Sequence, residues 1–144
     1  MGDDLWRKVE MDEKKLKHLE FIQNVITRMN SNSFLLKGWS ITLVSALFAL
    51  AAKDANLNYV LISYIVIPVF WVLDGFFISI ERQYRSLYAL VIKKTNDEID
   101  FSMNASPFSS GKNSWICGIF SKTLVPFYGI SVLATLLVMF FLKR

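Results

Sequence analysis

Three apolar runs limit what this chain can fold into: Phe34 to Ala52, Tyr59 to Ile80 and Thr123 to Leu142. A helix rises 1.5 Å per residue, so a hydrocarbon core of about 30 Å takes about 20 apolar residues. The first run carries Lys37, the second carries one acid, Asp74, and the third carries no charge. In a chain of 144 residues they leave room for one small helical bundle and no separate enzymatic domain. Apolar residues are 53% of the chain and the mean hydropathy is +0.39, both high for a soluble domain. The expected class is an all-α integral membrane helical bundle. Its transmembrane domain covers 34–142, with spans at 34–52, 59–80 and 123–142, and an N-terminal cytoplasmic amphipathic helix covers 1–33.

The polar segments organise the bundle. In residues 1–33, Leu16, Leu19, Ile22, Ile26 and Met29 recur at three- and four-residue spacing, with Lys14, Lys15, Lys17, Glu20 and Arg28 between them. This stripe either builds a helical bundle above the membrane or lies on the membrane surface. The run Asn30-Ser31-Asn32-Ser33 is expected to end that helix and cap the next. The polar turn from Lys53 to Asn58 joins spans one and two into an antiparallel hairpin. Span two contains Pro68, which is expected to kink it, and continues past the membrane as far as Lys94. Residues 95–114 form a loop, and Trp115, Ile116, Ile119 and Phe120 suggest a short interfacial helix before span three. Pro126 falls in the first turn of span three, and Lys143-Arg144 ends the chain in the headgroups.

Charge sets the orientation. Segment 1–37 holds seven Lys and Arg (Arg7, Lys8, Lys14, Lys15, Lys17, Arg28 and Lys37), and segment 81–122 holds six (Arg82, Arg85, Lys93, Lys94, Lys112 and Lys122). The turn holds only Lys53, and the C-terminus only Lys143 and Arg144. The positive-inside rule then places the N-terminus and the 81–122 segment in the cytoplasm. The first 33 residues carry 12 charges, so no cleavable signal peptide is expected. Trp39, Tyr59 and Trp115 lie at span boundaries, where interfacial aromatics belong. Asn104-Ala105-Ser106 matches a glycosylation sequon, but Pro107 follows it and the segment is cytoplasmic in this topology.

Three features could carry chemistry. A carboxylate within a span is expensive and marks a functional site by default. Asp74 lies seven residues before Glu81, about 10 Å below the cytoplasmic edge, and Lys37 lies one turn inside the same edge of span one. Either Asp74 lines a wet pore that selects cations or senses protons, or a Lys37–Asp74 ion pair fixes helix register. The second feature is a strip of small residues, Gly38, Thr42, Ser45, Ala49 and Ala52, on one face of span one. It either lines a channel, with Thr42 and Ser45 toward water, or packs tightly on span two or on a neighbouring copy. Both readings put it inside a bundle. Three spans enclose little on their own, so several copies are expected to share an axis.

The third feature is the basic set Lys14, Lys15, Lys17, Arg82, Arg85, Lys93 and Lys94. It attracts anionic lipid and controls topology, or it binds a phosphate-rich ligand; interleaved Glu10, Asp12, Glu13 and Glu20 dilute it. One cysteine, Cys117, excludes an intramolecular disulfide and a Cys-based zinc site. The single histidine, His18, sits beside Lys17 and is expected on the solvated surface. Without a glycine-rich phosphate loop or a Ser/His/Asp constellation, the chain is expected to be no enzyme and to need no metal or cofactor.

The stretch His18 to Met29, then Ser33-Phe34-Leu35-Leu36-Lys37-Gly38-Trp39, and Phe70 to Phe77 with Glu81-Arg82 behind it, resembles a family of small bacterial membrane proteins. These occur among membrane effectors of anti-phage defence, such as the channel effector of the Hailong system. The resemblance covers about residues 16–85. It implies a homo-oligomeric, tetrameric ion channel in the bacterial inner membrane. Single-stranded DNA oligomers made by a partner nucleotidyltransferase would hold it closed, and their release would depolarise the cell. It would put Asp74 and Lys37 near the conduction path and the cytoplasmic Lys and Arg on the DNA. A non-conducting anchor that recruits a cytoplasmic enzyme through residues 1–30 is the alternative. A small transporter is disfavoured, because no inverted repeat relates the spans.

Overall fold

The computed structural model describes residues 2–54 and 56–143; Ala55, in the expected turn, and Arg144, expected with Lys143 at the headgroups, lie outside the described residues. Four α-helices follow one another: α1 (Gly2–Asp54), α2 (Asn58–Lys93), α3 (Trp115–Ile119) and α4 (Leu124–Lys143). No strand occurs among the described residues. Three helices, α1, α2 and α4, are long and apolar enough to cross a membrane. Their apolar portions coincide with the three runs read from the sequence, as a multi-pass membrane protein requires.

The helix break expected at Asn30–Ser33 does not occur: α1 is continuous for 53 residues, about 80 Å. A helix stops where its backbone needs a cap, and Asn or Ser serves as one only when the chain turns away. Here packing keeps the register running. Ile22, Ile26, Ser33, Ser40, Val44 and Ala51 are all buried, and they fall on one face from the polar half into the apolar half. Ser33 therefore points at α2 instead of capping. The helix α2 likewise runs unbroken through Pro68, which sits on its exposed side.

The helix α2 is the centre of the molecule. At the polar end, Ile22 and Ile26 of α1 pack with Leu87 and Val91 of α2 and with Ile99 and Ala105 of the connecting segment. Each such burial contributes about 1.5–3 kcal/mol where the alternative is water. The amphipathic stripe is thus covered within the protomer and does not lie on a surface; only Leu16 of the five stays exposed. At the apolar end, Val44 of α1, Ile67 and Ile78 of α2, and Leu124 and Tyr128 of α4 form a second cluster.

The segment 95–114 contains three single 3₁₀ turns (Asn96–Glu98, Ser106–Phe108, Gly111–Asn113), and α2 side chains satisfy its carbonyls. Ser79 Oγ donates to the Asn113 carbonyl at 2.6 Å, Tyr84 to that of Met103 at 3.1 Å, and Arg82 to that of Lys112 at 3.0 Å and, in α3, to that of Cys117 at 3.1 Å. The segment then delivers α3 against α2 in backbone contact. A Cβ on Gly118 would collide with the Gly75 carbonyl, and one on Gly75 would lie 2.8 Å from the Ile119 nitrogen. Two indoles lock this crossing: Trp71 donates to the Ile119 carbonyl at 2.9 Å and Trp115 to that of Val72 at 3.0 Å.

Candidate functional site

Asp74 is fully buried where α1, α2 and α4 meet. Each neighbouring helix gives it a donor. Lys37 Nζ of α1 lies 2.7 Å from Oδ2, and the Tyr128 hydroxyl of α4 donates to the same oxygen at 3.1 Å. Ser33 Oγ, also of α1, donates to Oδ1, and Lys37 donates to Ser33 Oγ at 2.7 Å. Stacking fixes the Tyr128 ring in place: it lies on Trp71, with centroids 5.7 Å apart and planes 11° from parallel. The structure thus joins the two charges that the sequence places at one level. A buried charge is tolerable when it is paired and hydrogen-bonded, and this carboxylate has both kinds of partner.

The remaining sequence-predicted residues fall elsewhere. Gly38, Thr42, Ser45, Ala49 and Ala52 are exposed in the protomer, about 140° round α1 from the buried face. They do not pack on α2, which takes Ser33, Ser40, Val44 and Ala51 instead. Thr42 turns its hydroxyl back onto the Gly38 carbonyl at 2.9 Å.

The basic set divides by use. Lys14 pairs with Glu10 and Arg85 with Glu81, each at 2.7 Å. The Lys14 ammonium keeps the Glu10 carboxyl below the usual carboxylate range. Lys15 donates to the Lys94 carbonyl at 2.8 Å and so closes the end of α2. Arg82 is spent on backbone carbonyls with no acid partner among the described residues. Lys17 and Lys93 stand exposed and Lys94 half-buried.

His18, expected on the surface, is 4% exposed, and its Nε2 has no hydrogen-bond partner among the described residues. The loop covers it: Phe101 meets it edge-on at 5.6 Å, and Phe101 itself takes a left-handed backbone, φ 53°. Burial lowers the imidazole's pKa, partly opposed by the Asp100 charge. No three His, Cys, Asp or Glu side chains among the described residues could together hold a metal ion.

Above the Asp74 cluster opens a groove of about 540 Å³. Its lining includes Phe34, Lys37, Ile78, Glu81, Arg82 and Arg85. Lys37 joins the two places: its side chain is 22% exposed to the groove side while its ammonium holds the buried acid. Sequence reasoning missed Tyr128, Ser33 as a donor, and the Gly75–Gly118 crossing. An Asp at intramembrane depth demands several donors, and a hydroxyl near the start of the third apolar run was the available signal.

Comparison with protein-family models, curated proteins and solved structures finds no match to this chain. Its own residues therefore carry the functional reading.

Proposed function

We propose that the chain is the subunit of a homo-oligomeric membrane channel whose opening collapses the membrane potential. In this reading it is a multi-pass protein of the bacterial inner membrane with the N-terminus in the cytoplasm, and it acts as an effector of anti-phage defence. A cytoplasmic anionic ligand, a nucleotide or oligonucleotide, gates it by binding the closed state better than the open one. The single-stranded DNA oligomer and the nucleotidyltransferase that makes it come from the resemblance alone. Lys17, Lys93 and Lys94 are the cations of the basic set that such a ligand meets first, since the others are already engaged.

The observation that carries the reading is the exposed strip on the apolar half of α1. Gly38, Thr42, Ser45, Ala49 and Ala52 leave a narrow, partly polar face with nothing against it in the protomer. In lipid such a face is satisfied by another helix, and copies around an axis would bring Thr42 and Ser45 hydroxyls together. Asp74 supports the assembly by holding each protomer rigid.

The test has two readouts. Ser45→Cys in a Cys117→Ser background is expected to form disulfide-linked multimers in isolated membranes, and Leu61→Cys, exposed on α2, is not. Expression of the parent is expected to depolarise cells in a potential-sensitive dye assay, and Ser45→Leu at equal membrane abundance is expected to abolish this. Monomeric Ser45→Cys, with no depolarisation, refutes the channel.

A second reading has its own observation. Trp6, 73% exposed, and Val9 and Leu16 share one face of the polar half of α1 with no cover. An anchor that recruits a soluble enzyme would use that face. An innocuous chain that co-purifies with a soluble protein, and loses it on Trp6→Ala with Leu16→Ala, favours the anchor.

A further inference from the structure

The groove beside Lys37 is one end of a larger cationic belt. A second cavity of about 530 Å³ shares Arg82 and Thr123 with it and adds Lys112, Phe120 and Lys122. Around the two stand Lys37, Arg82, Arg85, Lys112 and Lys122, against the acids Asp74 and Glu81. Asp74 is matched by Lys37 and Glu81 by Arg85, so Arg82, Lys112 and Lys122 remain without an acid among the described residues. The carbonyls of Lys112 and of Cys117 in α3 orient the Arg82 guanidinium.

Beside Arg82 and Lys112 the walls include apolar side chains: Ile78 one turn below Arg82, Phe34 next to the Ser33 that bonds Asp74, and Phe120, 68% exposed. Trp115, on α3 next to this groove, is exposed, as an aromatic of a membrane–water boundary is. Fixed positive charge with apolar wall beside it matches one ligand, an anionic phospholipid lying between the helices. A free nucleotide needs the charge but has no use for the wall.

We propose that this belt binds the phosphate of an anionic phospholipid, with its acyl chain along Phe34 and Ile78. The phosphate would sit among Arg82, Lys112 and Lys122, above the Lys37–Asp74 pair that ties the three helices together. The proposal rests on the membrane-spanning reading above. Carbonate extraction of the same membranes tests that premise separately.

The experiment is competitive lipid retention by the full chain in dodecyl maltoside, read by native mass spectrometry with phosphatidylglycerol and phosphatidylcholine supplied together. Preferential retention of phosphatidylglycerol is expected. Lys112→Gln and Lys122→Gln lie on exposed side chains and disturb no hydrogen bond of their own side chains, so they leave the fold intact. Each is expected to weaken the preference about fivefold, and their combination more. Arg82→Gln should weaken it further but also loosens the loop. Equal retention of the two lipids by the parent overturns the proposal. So does a lysine double variant that retains phosphatidylglycerol as the parent does. Displacement of the lipid by millimolar glycerol 3-phosphate overturns the lipid as ligand and assigns the belt to soluble phosphates.

Discussion

Removing the charge of Asp74 tests how the bundle is held. Asp74→Ala deletes the acceptor for Lys37, Tyr128 and Ser33 together. Breaking a buried ion pair by removing one partner typically costs about 3–5 kcal/mol. Two features set the expected value near the bottom of that range. Lys37 is 22% exposed and can carry its ammonium toward the groove. Ser33 can turn its hydroxyl onto its own helix backbone. Tyr128 has neither escape, being fully buried, and its unpaired hydroxyl adds about 1 kcal/mol. The net expectation is a loss of about 3–4 kcal/mol for Asp74→Ala. Asp74→Asn keeps an acceptor and loses about half as much. Lys37→Gln leaves the buried carboxylate without its charged partner, so it too is expected to destabilise the junction. The double variant Lys37→Gln with Asp74→Asn is expected to recover about 2 kcal/mol relative to the sum of the singles. The assay is reversible unfolding in mixed micelles by SDS titration, followed by tryptophan fluorescence. Trp71 stacks on Tyr128 and reports directly on the junction. A coupling below about 0.5 kcal/mol would show that the contact fixes nothing. If Asp74→Asn left stability unchanged yet abolished depolarisation, the acid would belong to conduction instead of register.

Two further outcomes follow from the packing. Gly75→Ala and Gly118→Ala each push a Cβ into backbone atoms that cannot rotate away, so each is expected to cost about 2 kcal/mol or more in the same titration. Gly129→Ala meets nothing within 4 Å and serves as the neutral control. For His18, burial favours the neutral imidazole, so the state with the covering segment unfolded binds the proton more readily. The stability it governs is therefore intact above the unfolded value of about 6.5 and is lost as pH falls through the lowered folded value. Asp100 partly offsets this. Hydrogen-exchange protection over Ile99–Ala105, corrected for the intrinsic rate, is expected to fall between about pH 7.5 and about pH 5.5 in the parent but not in His18→Leu. Identical profiles would remove His18 from the account.

The three apolar helices were legible because length and charge decide them locally. The second and third runs end within a residue or two of the helices' apolar portions, and α3 begins at Trp115 as the aromatic cluster suggests. The Lys37–Asp74 contact was legible for a different reason: two charges at one depth in apolar helices have few other partners. What the sequence left open was which face of span one packs on α2. Span one and its approach offer two strips of short side chains, one from Gly38 to Ala52 and the other of Ser33, Ser40, Val44 and Ala51. Both have helical spacing, so periodicity does not rank them. Lys37 does, since it lies about 40° from the Ser33–Ser40 side and about 100° from Gly38, and it must reach Asp74. The break at Asn30–Ser33 failed because cap residues are permissive, and tertiary packing through Ile26 and Ser33 overrode them. His18 was misplaced because the loop that covers it lies more than 80 residues away in the chain.

The same continuity bears on how a signal could travel. A hinge at Asn30–Ser33 would have let the polar half of α1 move independently of the apolar half. With α1 and α2 both unbroken through that level, a ligand bound at the polar end would displace the helices as rods in the channel reading. The Asp74 cluster is where such a displacement is resisted, because it ties both rods to α4. A ligand must bind the two arrangements with different affinity to move the balance, and a shift from 1:99 to 99:1 takes about 5.5 kcal/mol. In the channel reading, protomers that move together would share that differential, so each ligand would need to supply only part of it. In that reading the exposed strip of α1 would be the surface through which the protomers' contributions add.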